Sequence, residues 1–108
     1  SELAPGRGLD LACGEGQNSI WLAGLGWRML GVDYSSVAID KARGRAERDA
    51  VAVDFLCDDL VTFEPEAGAF DLVIVLYLHI GPDERRIVLE RAASAVAPGG
   101  TWAASSTR

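Results

Sequence analysis

Residues 9–26 read LDLACGEGQNSIWLAGLG. An apolar, strand-like run leads into Gly14-Glu15-Gly16, and a helix-like run follows. This is the strand–turn–helix form that opens a nucleotide-binding α/β unit. Glycines at 14 and 16 remove side chains where the backbone must bend sharply and a ligand must come close. The helix behind them offers unpaired N–H groups to a carboxylate or phosphate. Tight strand-to-helix turns need glycine in any case, so the pair alone leaves ligand binding open. A dinucleotide turn also wants a third glycine or an alanine at position 19, and that position holds Ser19. The stretch therefore raises the question of which cofactor, if any, the turn accepts.

Outward from this stretch, strand-like and helix-like segments alternate along the chain, the pattern of a parallel sheet with crossover helices. Residues 7–12 read as a first strand and 17–25 as a helix, with Ile20, Trp21, Leu22 and Leu25 at helical spacing. Trp27 to Val32 reads as a second strand closed by Asp33. Ser35 and Ser36 are N-cap residues for a helix running to about Arg48, with Val37, Ala38, Ala42 and Ala46 inward. Ala52 to Cys57 is a third strand, and the apolar run FDLVIVLY (70–77) a buried central one. Gly81-Pro82-Asp83-Glu84 has the proline and first-turn acids of a helix start. That helix is predicted to run to about Ala97, where Pro98-Gly99-Gly100 breaks it before a fifth strand, Thr101 to Ala104.

At 108 residues the chain is one domain, 1–108, or a piece of one. Its 49% apolar and 24% charged residues are ordinary globular values. No apolar run reaches the ~20 residues of a membrane span, and no basic segment precedes an apolar one as in a secretory leader, so a cytoplasmic protein is expected. A net charge of −6 argues against a nucleic-acid partner. Its basic residues gather at Lys41–Arg48 and Arg85–Arg91, interleaved with acids as on solvated helix faces. Cys13 and Cys57 with a single histidine offer no metal-ligand spacing, so no metal site is expected.

Three further features carry chemistry. Asp33 ends the second strand about 20 residues past the first glycine, where an acid bonds a ribose hydroxyl; otherwise it is a solvated strand end. Cys57-Asp58-Asp59-Leu60 ends the third strand, where a carboxylate can accept from an adenine amino group and an aliphatic side chain can cover the ring; its plainer reading is a polar strand terminus. His79 follows the central strand, where a substrate would sit in an open α/β sheet; it is either a base or a residue that organises the loop.

Taken in order, these segments resemble the class I S-adenosylmethionine-dependent methyltransferases, from Leu9 to about Trp102. Leu9 to Gly16 looks like the family's first motif, with Ala12 where many members carry glycine. Gly31-Val32-Asp33-Tyr34-Ser35 resembles the ribose-binding acidic motif, and Phe55 to Leu60 the adenine motif, with Asp59-Leu60 the better register. Phe70 to Val73 resembles the fourth strand, and Ala97 to Thr101 the turn before the fifth. The subgroup it most resembles is that of small-molecule methyltransferases, including the tellurite-resistance-like ones.

The resemblance implies a Rossmann-like, doubly wound parallel α/β sheet in the order 3-2-1-4-5. It implies S-adenosylmethionine as cofactor, S-adenosylhomocysteine as product and a small-molecule methyl acceptor. The cofactor seat it implies comprises Asp10, Ala12, Cys13, Gly14, Gly16, Asn18, Asp33, Tyr34, Ser35, Asp58, Asp59, Leu60 and Leu76. The family usually continues through a sixth and seventh strand, so this chain is expected to be a fragment of a longer domain. Two alternatives stand beside it: a truncated, non-catalytic assembly module that dimerises through an exposed sheet edge, and an NAD(P)-dependent oxidoreductase. Ser19 weighs against the second. A pyrophosphate needs the third small residue beneath it, whereas the methionine end of the cofactor needs only the two-glycine turn.

Overall fold

A computed structural model describes residues 5–76 and 80–105. Five strands and three helices alternate: β1 (Arg7–Leu11), α1 (Gln17–Gly24), β2 (Arg28–Asp33), α2 (Ser36–Arg48), β3 (Asp54–Cys57), β4 (Phe70–Leu76), α3 (Pro82–Ala95) and β5 (Val96–Ser105). They form one sheet in the order β3-β2-β1-β4-β5. Every pairing is parallel, so the order expected from the resemblance is the order observed. Among the described residues no helix is long and apolar enough to cross a membrane.

The chain winds outward from β1 through β2 to β3, then restarts on the other side with β4 and β5. Right-handed crossovers put α1 and α2 on one face and α3 on the other. The apolar residues divide accordingly. Leu9, Leu11, Val73 and Val75 pack with Val88, Ala92 and Ala95 of α3. Ile39, Ala42 and Ala46 of α2 pack on Phe55, with Ile20 of α1 against them. Where the winding reverses, between β1 and β4, the strand ends separate and leave a crevice, the place where ligands bind in such sheets.

Local chemistry accounts for the element starts. Ser35 caps α2, its Oγ accepting from the Ala38 N–H at 3.1 Å. Pro82 opens α3, with Asp83 and Glu84 in the first turn. Three details differ from the sequence reading. In α2 Ile39 is buried beside the expected Ala42 and Ala46, whereas Val37 is 63% exposed. In α1 Ser19 is the buried residue, and Trp21 and Leu25 face outward at 64% and 53% exposure. The third difference is at Pro98-Gly99-Gly100, which does not separate α3 from a later strand. The helix ends at Ala95 and β5 begins at once with Val96, paired to Phe70. The next pair is Leu72 with Thr101, so two steps along β4 are matched by five along β5. Ala97 to Gly100 are thus absorbed in a bulge whose bend is taken at Gly99, φ 79°.

Candidate cofactor cleft

A cleft of about 530 Å³ opens at the carboxyl ends of β1, β2 and β4. β1 contributes Asp10, and Ala12, Cys13, Gly14 and Glu15 follow it in the turn; Gln17 and Asn18 come from the first turn of α1. Asp33 and Tyr34 come from the end of β2, and Leu60 from beyond β3. Leu76 ends β4, Ile80 stands before α3, and Arg45 reaches over from α2.

The turn is built by alternating handedness. Ala12, Gly14 and Gly16 hold φ of 63°, 57° and 81°. The chain is pinned by Cys13 N–H to Val32 O and by Gly16 N–H to Cys13 O, both 3.0 Å. The two glycines have different reasons. A Cβ on Gly14 would meet nothing within 4 Å, so this position leaves the cleft open to a ligand. A Cβ on Gly16 would lie 2.7 Å from Phe55 Cζ and 2.9 Å from Ala42 Cβ, so what comes close at Gly16 is the protein's own core. Ala12 holds a left-handed conformation that costs an L-residue about 1 kcal/mol or more.

Two carboxylates dominate the electrostatics. Asp10 is 2% exposed, and the Ser19 hydroxyl donates to its Oδ2 at 2.7 Å. Burial pushes its carboxyl up to about 7; the Ser19 hydrogen bond opposes that and the charge of Asp33 adds to it. Asp33 is also raised by burial, opposed by the backbone N–H groups of Tyr34 and Gly14; the Tyr34 N–H reaches its Oδ1 at 3.0 Å. Burial, with Asp10 and Asp33 nearby, drives the Cys13 thiol well above its ordinary range, so it stays protonated and is a poor nucleophile. These contacts explain Ser19. A glycine or alanine there would leave a buried carboxyl without a donor, at a cost of about 1–3 kcal/mol or more.

Of the residues expected at a cofactor seat, Asp10, Ala12, Cys13, Gly14, Asn18, Asp33, Tyr34, Leu60 and Leu76 lie together on the cleft wall. Gly16, Ser35, Asp58 and Asp59 do not. Gly16 packs on Phe55, and Ser35 is engaged as the α2 cap. Asp58 accepts from the Asp59 N–H at 2.8 Å, and Asp59 from the Val61 N–H at 2.9 Å, so each makes one bond within the turn after β3. His79, offered as a base, lies outside the described residues, as does Tyr77 at the end of the expected fourth strand.

The sequence reading missed Glu15, Gln17, Arg45 and Ile80. Glu15 and Gln17 border the glycines and could have been inferred from the turn. Arg45 arrives through an ion pair with Glu15 at 3.3 Å, which Lys41 joins at 3.8 Å; no local pattern announces that reach.

Residues 9–100 match the family model described as a methyltransferase domain. A ubiquinone biosynthesis O-methyltransferase of Coxiella burnetii is 34% identical over 94 residues, covering 85% of this chain and 39% of that protein. A ribosomal RNA small subunit methyltransferase C of Alcanivorax borkumensis is 36% identical over 70 residues, covering 65% of this chain and 21% of that protein. A crystal structure of a Pyrococcus horikoshii protein superposes with a TM-score of 0.86 at 33% identity, covering 94% of this chain and 46% of that one. The chain thus spans about two fifths of the length of the O-methyltransferases it matches.

Proposed function

The chain belongs to the S-adenosylmethionine-dependent methyltransferases, and from that premise we propose that it carries the cofactor half of an enzyme that methylates a small-molecule acceptor. The observation that supports this reading most is the cleft itself. It combines an open approach over Gly14, two buried carboxylates and an aliphatic wall in one crevice at the sheet's switch point.

The residues present fit the cofactor's chemistry. Asp33, with one oxygen engaged by the Tyr34 N–H, keeps acceptor capacity for ribose hydroxyls. Leu60, Leu76 and Ile80 offer an apolar surface for an adenine ring, and Asp10 offers a negative charge to an amino group. Bound there, S-adenosylmethionine would supply a sulfonium-activated methyl group, so that positioning the acceptor provides much of the rate. Glu15, held by Arg45 and Lys41, ties the turn to α2 and preorganises it. A small acceptor is favoured over RNA by the balance of charge. Among the described residues the cleft wall carries Asp10, Glu15 and Asp33 against one cation, Arg45, on a chain of net charge −6.

Isothermal calorimetry with S-adenosylhomocysteine tests the reading. Micromolar binding is expected, weakened tenfold or more in Asp33→Ala. A chain with a native circular dichroism spectrum and no saturable heat would refute it.

A second reading rests on β5. It pairs with β4 on one side, and its residues 101–104 are exposed, Trp102 at 42%. Among the described residues no strand lies beyond β5, and an open strand edge invites pairing with another chain, here a second copy. Sedimentation velocity across a hundredfold range of concentration should then show a concentration-dependent dimer, and a constant monomer would remove this reading.

A further inference from the structure

Asp10 sits 2% exposed on the cleft wall, with one hydrogen bond, from the Ser19 hydroxyl of α1. Ser19 is itself fully buried and is the sole buried residue of α1. The remaining charged and titratable groups on the cleft wall come from every side. The turn supplies Cys13 and Glu15, β2 supplies Asp33 and Tyr34, and α2 supplies Arg45. On the β4 side the described wall residues, Leu76 and Ile80, carry no charge. Arg45 is engaged with Glu15 at 3.3 Å. Asp10 thus lies beside a second buried acid, Asp33, whose charge disfavours ionisation of Asp10, and among the described residues Asp10 has no cation as a hydrogen-bond or ion-pair partner.

We propose that Ser19 is a positioning residue for ligand recognition: its hydroxyl orients the Asp10 carboxyl at the cleft floor, where a cationic group of the ligand displaces the Asp10 proton to solvent. The reading rests on the S-adenosylmethionine assignment and says which form of the site takes the cofactor. The exchange balances in charge and atoms: a neutral acid and a cationic ligand become a carboxylate–cation pair and one released proton. A buried carboxylate is stable beside a cation and costly without one, so the empty site keeps the proton and the loaded site gives it up. The hydroxyl of Ser19 serves both states, since it donates to either form of the acid. Its bond to the charged form is the stronger, which eases the release.

This predicts a pH signature that merely structural packing would not produce. With the Asp10 carboxyl titrating at about 7 in the empty site, S-adenosylhomocysteine should bind about tenfold more weakly at pH 6 than at pH 8. Calorimetry in buffers of differing ionisation enthalpy should count a proton released per ligand below pH 7, falling towards none at pH 8. Adenosine, which lacks the amino-acid arm and its ammonium, should bind without proton release. Ser19→Ala, which keeps the acid and removes its donor, should move the midpoint up by about one pH unit or more. Asp10→Asn should bind with a flat pH profile.

Binding of S-adenosylhomocysteine that is flat from pH 6 to 8 in the unaltered chain overturns the proposal while leaving the cofactor assignment standing. So does a Ser19→Ala midpoint unchanged from that of the unaltered chain, or a pH dependence that survives Asp10→Asn. Absence of binding at every pH by a folded chain defeats the cofactor assignment and this proposal together. The proton count is taken on the unaltered protein, so the outcome does not depend on whether a variant folds.

Discussion

Gly14 and Gly16 look interchangeable in a G-x-G pair, yet substitution should separate them. Gly16→Ala combines a φ of 81° with a methyl forced to within 2.7 Å of Phe55 and 2.9 Å of Ala42. Overpacking and left-handed strain together should cost about 3 kcal/mol or more, read as a lower midpoint in urea unfolding. Gly14→Ala meets no neighbour and should cost only about 1 kcal/mol of backbone strain. Its methyl would enter the cleft, so calorimetry with S-adenosylhomocysteine should show the larger loss there. Equal stability losses for the two would contradict this division. The sequence made both glycines visible because the turn needs them, but not that Phe55, from β3, is what closes on Gly16. That contact exists only once the sheet has formed. Ser19 is similar: its departure from a dinucleotide pattern was legible, whereas its bond to Asp10 depends on how α1 settles over β1.

At the scale of elements, starts were easier to read than faces and ends. Caps are local chemistry, and Ser35 shows this: its hydroxyl satisfies the Ala38 N–H within the same turn. Ser35→Ala should cost about 1 kcal/mol, visible as a lower thermal midpoint, while ligand affinity is kept because Ser35 is off the cleft wall. The faces of short helices are less legible. In α1 the helical spacing of Ile20, Trp21, Leu22 and Leu25 marks a helix but not its face: eight residues make barely two turns, and the buried position is taken by Ser19. The junction of α3 and β5 was misread for a related reason. Pro98-Gly99-Gly100 signals a break, and the break falls inside a strand. Gly100 there is crowded: a Cβ would lie 2.9 Å from Val96 Cγ1 and 3.0 Å from the carbonyl oxygens of Ala97 and Asp71. Backbone oxygens cannot move aside cheaply, so Gly100→Ala should destabilise by about 1–3 kcal/mol. A urea midpoint equal to that of the unaltered chain would show the bulge to be more pliable than its contacts indicate.

For the molecule as a whole, the raised Asp10 carboxyl couples stability to pH and to the ligand. Its usual value is 3.8 and in the folded chain it lies at about 7. Below 3.8 both folded and unfolded chains hold the proton, so the group has no effect. Between 3.8 and 7 the unfolded chain releases the proton and the folded chain keeps it, so stability falls by about 1.4 kcal/mol per pH unit. Above 7 the loss is complete, at about 4 kcal/mol. Asp33, raised for the same first reason, acts in the same direction. Asp10→Asn removes the titration, so the difference in stability between this variant and the unaltered chain should grow in the variant's favour from pH 4 to pH 7 and then level off. Urea unfolding at each pH measures it, and a difference that stays constant across that range would refute the assignment. Ligand should offset the deficit where it is largest. At a hundred times its dissociation constant, S-adenosylhomocysteine should add about 2.7 kcal/mol of stability, a shift in melting temperature of several degrees for a domain of this size. That shift should be greater at pH 8 than at pH 6 for a fixed ligand concentration, because affinity rises as the Asp10 proton is lost. A cleft acid kept at the expense of stability, in a chain whose other buried groups are almost all apolar, is what a binding site requires and a structural core does not.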